Sequence, residues 1–530
     1  MAFSFDNASQ SNTMQSIGNQ IGYKVRNIAH HGQPVIEINL DDRHGTHGGY
    51  VTSYSTMDSI EGTVSITVAH DTKFEDIDIA FTGTSYTFVD RLTTTPTVSG
   101  RTEATHRFLA LRQPIEDMDL PSPRVFVAGK RYIFPFYFIV PPHLLPRACT
   151  HRVDADHVRD THLMLPPSVG DPEMAGHSGV LLDDVAPEMS KVIYGVKVRV
   201  MQRRDPDEPI TPLAEKLRKV RIKPAFEEQP PLNLDQSNPD YRTRQEKTIR
   251  KGLFKGKSGT LTTQAGQPKA LVIPGARTSG NETLTTVAKV RIRFDPADET
   301  NAPPKLNSLA TKLKVSTFFA TAPRHSFPSK STLGFDHTQG VYQESVNLSS
   351  LCVASAPWTR RSAEENPTSE NSLLRRDSGI SDCGAENDWA SATKLPTASK
   401  NYKGGDFYTA EILAPITLPY HKNFLPTFHS CTISRTYTLF LQLSAKAPGI
   451  SDPSLSLKVP VQICAEGSDT GLANARARSV AIAMQAGATL LAPQSSVPQN
   501  LEGESDELPP QYAAFASHVG RYNARVTAVG

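Results

Sequence analysis

The chain has 530 residues, with 56 Lys and Arg against 54 Asp and Glu, 40 Pro and five Cys. That length has room for roughly two to four domains, while a 38 % hydrophobic content below the usual range predicts substantial loop, linker or tail. Five scattered cysteines with no CxxC pair exclude a disulfide framework, and the longest apolar run, residues 132–142, is too short for the ~20 residues of a spanning helix.

Residues 1–25 are polar, lack the basic and apolar regions of a secretory leader, and are expected to be flexible. From 26 to 204 apolar residues recur with period two: Ile36-Ile38-Leu40, Val64-Ile66-Val68, Ile77-Ile79-Phe81 and Val192-Tyr194-Val196-Val198-Val200. Such alternation places one face of a strand in a core and the other in water. Residues 132–140 are apolar at both parities and predict the most buried strand, ended by Pro141 and Pro142.

Residues 205–258 carry seven Pro and few alternating runs, the pattern of a basic Pro-rich connector. Residues 191–257 hold 17 Lys and Arg against 9 Asp and Glu, a net +8 that leaves −6 for the rest of the chain. Alternation resumes over 259–465, at Val290-Ile292-Phe294, Tyr437-Leu439-Leu441-Leu443 and Leu455-Leu457-Val459-Val461-Ile463. A polar stretch at 355–403 is expected to be a disordered insertion, and 466–530 a tail that opens on an Ala-rich stretch of short-helix character. Two blocks of alternating strands predict an all-β chain with two β-sandwich domains in tandem.

Enzymatic motifs fall short. Gly252 to Ser258 resembles a phosphate loop but spaces its glycines by three residues instead of four, and Gly176-His177-Ser178-Gly179 lacks the nucleophile-elbow pattern. His143, His151, His157 and His162 lie among Asp154, Asp156 and Asp160, yet match no HExxH or His-x-His spacing; they read as a polar loop, and no metal or other cofactor is expected. Cys149 beside His151 could form a thiolate pair, but a structural cysteine after a buried strand is the plainer reading. No catalytic constellation survives, so the chain is expected not to be an enzyme.

Binding motifs are sharper. In residues 211–224, Lys216, Arg218, Lys219 and Arg221 form a basic block, helix or strand, suited to an anionic membrane surface. The lack of interleaved aromatics argues against nucleic acid. Arg375 and Arg376 precede Ser378 as basophilic kinases prefer, and a phosphate there would suit a 14-3-3-type reader. Pro509-Pro510-Gln511-Tyr512 is a PPxY motif: the prolines hold polyproline II geometry, so docking orders little, and Tyr512 supplies an aromatic body with a hydroxyl. Such segments fit the aromatic grooves of WW domains.

Residues 132–141 (YIFPFYFIVP), 144–149 (LLPRAC) and 162–170 (HLMLPPSVG), together with Gly259, Leu261, Gln267, Pro268, Leu306, Leu309, Lys312 and Leu313, resemble the α-arrestins, the arrestin-related trafficking adaptors of fungi, and among them the Bul-type branch. The resemblance implies two arrestin-like immunoglobulin-type sandwiches with a disordered loop and tail. It implies an adaptor that recruits a WW-domain HECT-type ubiquitin ligase to plasma-membrane transporters, promoting their ubiquitylation and endocytosis. Pro509, Pro510 and Tyr512 would bind the ligase, and the chain would be cytoplasmic, recruited peripherally to plasma membrane, endosomes or Golgi. The alternative is an arrestin-fold sorting or coat scaffold that works without ubiquitin ligase.

Overall fold

The computed structural model describes residues 33–41, 53–90, 100–366 and 395–491, apart from 172–175, 178–179, 204, 206, 233–237, 252–255, 276–283, 335 and 447–451. In the first half, strands Val35–Leu40, Ser59–Thr67 and Arg131–Ile139 form an antiparallel three-stranded sheet, with Ile36 opposite Ile66 and Val64 opposite Phe134. A five-stranded sheet runs Ser53–Tyr54, Thr211–Ile222, Ser190–Gln202, Asp76–Asp90, Arg101–Arg112. The alternating residues of both sheets meet in one apolar cluster, where Ile60, Val64, Phe134, Phe136 and Phe138 pack with Ile79, Phe81, Tyr194, Val196 and Val198.

The second half repeats the plan. One five-stranded sheet runs Arg244–Arg250, Lys257–Ala265, Thr285–Pro296, Phe407–Thr417, Thr359–Arg361. Another joins Gln339–Cys352, Lys305–Ala320, Ile433–Lys446 and Phe428–His429, with Ser454–Val461 also paired to Ile433–Lys446. Their shared core includes Leu261, Ile292, Phe294, Leu309, Leu313, Leu439 and Leu441. The two cores interleave at the junction: Leu425, Phe428 and Ile433 belong to the first cluster, and Val185 to the second.

The expected all-β pair of arrestin-like immunoglobulin-type sandwiches is not what forms. The chain is a mixed α/β body of open, uncurled sheets, and no closed β-sandwich or immunoglobulin-type barrel is seen among the described residues. Two physical features account for the difference. The Ala-rich stretch is a strong helix former and extends into a 23-residue helix, Asp469–Leu491, beside the shorter helices Asp156–His162 and Lys330–Leu333. The outer strand Arg101–Arg112 carries the exposed charges Arg101, Glu103, Arg107 and Arg112, and charge along an edge leaves it open to water instead of pairing it.

The strand Arg131–Ile139 also differs from expectation. Tyr132, Phe134, Phe136 and Phe138 are buried, but Pro135 is exposed and Tyr137 keeps 38 % of its surface. It is an outer strand covered on one face, where proline's missing N–H costs no ladder bond. Residues 211–222, inside the expected connector, form a strand paired with Ser190–Gln202. No helix among the described residues is long and apolar enough to cross a membrane.

Candidate metal centre at the junction of the two halves

The strand Arg131–Ile139 ends at two prolines, and the chain then folds over the junction through a tight turn at Pro146–Ala148 and the helix Asp156–His162. Leu144 N–H donates to Leu163 C=O at 2.7 Å, closing this excursion into a loop. The loop carries Cys149, His151 and His162, with Cys149 1 % and His162 2 % exposed.

From the second half a hairpin tip enters the same space. Phe428–His429 pairs with the start of Ile433–Lys446, and Ser430 closes the turn by donating its N–H to Ile433 C=O at 2.8 Å and accepting from Ile433 N–H at 3.1 Å. Cys431, 3 % exposed, sits at the tip. Its Sγ lies 3.7 Å from the Ala148 carbonyl, and its own carbonyl accepts from Arg324 N–H at 2.9 Å.

Four donor atoms, from Cys149, His151, His162 and Cys431, lie within 4.8 Å of one another. Cys149 Sγ is 3.3 Å from His151 Nε2 and 3.7 Å from His162 Nδ1, and the two imidazole centroids are 5.6 Å apart. His151 Nδ1 lies 2.9 Å from the Arg152 carbonyl; since a carbonyl only accepts, Nδ1 carries the proton and Nε2 presents its lone pair to the cluster. Arg159 Nη1 donates to the Cys149 carbonyl at 3.1 Å, fixing the loop.

Burial favours the neutral forms of His162 and Cys431. Burial, reinforced by His151, Arg324 and Arg159, lowers His162 to about 4. Burial next to Cys149 pushes the Cys431 thiol up to about 12. Arg324 is itself buried, donating to Gln339 Oε1 and Ser434 Oγ at 3.3 Å each.

Other polar bonds tie the halves together around this point. Arg435, 0 % exposed, donates to the Asp184 carbonyl at 3.0 Å, and Asp184 accepts from Gly170 N–H at 2.8 Å. Burial raises the Asp184 carboxyl against those favourable partners. Lys422 bridges Asp183 at 2.9 Å and Glu344 at 2.6 Å, and Thr87 Oγ1 donates to Ala320 C=O at 2.8 Å.

The sequence-level candidates are distributed differently. Of the polar loop's residues, His151 and His162 join the donor cluster, whereas His157 packs its ring 5.5 Å from Phe327; His143 and the three aspartates are not among the four donors. Cys149 and His151 meet as a pair, but Cys431 was invisible from sequence: it is distant in the chain, and nothing local to it reads as a ligand. In the basic block Lys216 and Arg218 are exposed, Lys219 is ion-paired to Asp171 at 2.7 Å, and Arg221 is buried beside Asp184. The structure therefore does not gather the four into one exposed patch. Ser378, Pro509, Pro510 and Tyr512 lie outside the described residues. No protein-family model and no curated protein matches the chain.

Proposed function

We propose that the chain is a non-catalytic adaptor that acts as the arrestin-related trafficking adaptors do, bringing a WW-domain HECT-type ubiquitin ligase to membrane transporters for ubiquitylation and endocytosis. The observation that carries this reading is the PPxY motif, Pro509-Pro510-Gln511-Tyr512, preceded by Glu502, Glu504, Asp506 and Glu507 in a stretch without strand or helix periodicity. A WW groove needs a segment of this kind that can be captured without unfolding anything.

The body supports the reading as a platform. Interleaved cores and the bonds around Arg435 and Lys422 join the two halves, so cargo contacts on one could be held in register with the other. A single PPxY is a weak ligand and gains strength only when cargo and ligase are held together. The adaptor works in the cytoplasm and is recruited peripherally to membranes.

The test is pull-down of the full chain with isolated WW domains of HECT ligases, comparing wild type with Tyr512→Ala. Loss of capture in the variant is expected. Undiminished capture would remove the motif's role, and stable co-purification with a multisubunit coat, indifferent to Tyr512, would favour the sorting-scaffold alternative.

A further inference from the structure

We propose that Cys149, His151, His162 and Cys431 form a tetrahedral site for a borderline-soft divalent transition ion, of which zinc is the best fit, and that the ion staples the loop of the first half to the hairpin tip of the second. The donor set is two thiols and two imidazoles, each offering one atom. Oxygen-seeking ions such as magnesium and calcium do not select such ligands. Around a tetrahedral zinc, with Zn–S of about 2.3 Å and Zn–N of about 2.0–2.1 Å, neighbouring donors stand about 3.3–3.8 Å apart. The Cys149 distances of 3.3 and 3.7 Å fall in that range, and the 4.8 Å limit on all four leaves only a small contraction to complete the shell.

The surroundings complete the argument. His151 has its Nδ1 proton engaged by the Arg152 carbonyl, the outer-shell bond that commonly orients a metal-bound imidazole and selects its ligating nitrogen. Three of the four residues are buried and His151 is half-buried, so an ion can enter past His151 and then be enclosed. On binding, M²⁺ forms two M–S and two M–N bonds and the two thiol protons leave to solvent. The centre is then neutral overall, which suits a buried position. Four protein ligands close the shell, leaving no open position for substrate, so the ion's role is structural.

The site spans residues far apart in sequence, and its contribution is to the alignment of the two halves. Metal analysis on the purified full chain, reconstituted with zinc and gel-filtered, should read about one ion per chain. Cobalt in its place should give the strong visible bands of a tetrahedral thiolate–imidazole site. Chelation should lower the melting temperature of the wild type by several degrees. Cys431→Ser should abolish the cobalt bands. Because that substitution is buried and could compromise folding, the half-buried His151→Gln serves beside it, with an expected loss of at least about 100-fold in zinc affinity in a chain that melts cooperatively.

Substoichiometric metal after reconstitution, with no chelator effect on melting, would overturn the proposal. So would a Cys149–Cys431 disulfide, detected as two mass units lost in the native chain. None of these readouts involves Tyr512, so failure here leaves the ligase reading where it stands.

Discussion

Thr470 donates its hydroxyl to Asp58 Oδ1 at 2.6 Å, joining the first turn of the long C-terminal helix to a loop near the start of the first half. Asp58 is 1 % exposed and also accepts from Ser468 Oγ and, at 2.7 Å, from Ser55 N–H. Ser468 Oγ in turn accepts from Gly471 N–H at 2.9 Å, capping the helix, and Asn474 Nδ2 donates to Met57 C=O at 2.9 Å. A carboxylate beside a helix N-terminus is also favoured by the helix dipole.

Asp58→Ala should therefore cost about 2–4 kcal/mol, because it strands several buried donors at once. Gly471→Ala should undock the helix by another route: a Cβ there would sit 2.2 Å from the Thr56 carbonyl, which is backbone and cannot swing away. Alanine also raises helix propensity by about 1 kcal/mol, so helical circular dichroism should persist while limited proteolysis near residue 468 accelerates. Unchanged proteolysis in both variants would show that the helix is held by something else.

Arg293 is fully buried and binds Asp295 at 2.6 Å, with its guanidinium over the rings of Phe407 at 3.8 Å and Tyr402 at 4.7 Å. Its Nη1 donates to Asn366 Oδ1 at 2.8 Å and to Pro396 C=O at 3.0 Å, so one side chain holds two separate points within the polar stretch 355–403. Asp295 Oδ2 accepts from Ser399 N–H at 2.8 Å. Arg293→Met should destabilise by about 3–5 kcal/mol in urea unfolding, since it leaves Asp295 buried and unpaired. Arg293→Met combined with Asp295→Leu should recover part of that loss, and a fully additive double variant would contradict the pairing.

Lys223 offers a pH test. Burial, with Arg221 alongside, lowers its ammonium from the usual range to about 7. Between about pH 7 and 10.4 the unfolded chain holds a proton the folded chain has released, so this group makes stability rise with pH across that window. Lys223→Met should be more stable than wild type at and below neutral pH. Because part of Lys223 still reaches solvent, the gain should be modest, about 1–2 kcal/mol, and should vanish near pH 10. A gain independent of pH would locate the effect in packing.

Lys216 and Arg218 are the exposed members of the basic block. Charge reversal at both should reduce flotation with phosphatidylserine vesicles several-fold at low salt, and the difference should shrink as ionic strength rises. Binding that ignores both substitutions and salt would dissociate this strand from any membrane contact.

Much of the β structure was legible because alternation is a local consequence of the pleat. Val192, Tyr194, Val196, Val198 and Val200 are all buried, as are Tyr437, Leu439, Leu441 and Leu443. Residues 211–222 were ambiguous because Leu213, Leu217 and Val220 suit a helix while Val220 and Ile222 suit a strand; pairing with Ser190–Gln202 decided for the strand. The short helix Asp156–His162 was missed within a polar loop, since its two buried residues, Val158 and His162, make no apolar period. Sheet closure was misjudged for a related reason. Alternation reports that one face is covered, but says nothing about how a sheet's edges end.

The sequence by itself determined which residues are apolar at period two, where proline interrupts them, how charge divides along the chain, and that a PPxY stands near its end. Each of these is carried by neighbours in the chain. Only the tertiary structure decided that Cys431 faces Cys149, that Arg221 is buried while Lys216 is not, and that Asp58 receives a helix from the far end of the chain. The meetings at Cys431 and at Asp58 join residues hundreds of positions apart. They exist because two cores, once packed, bring loops and hairpin tips together, and no local pattern encodes that approach.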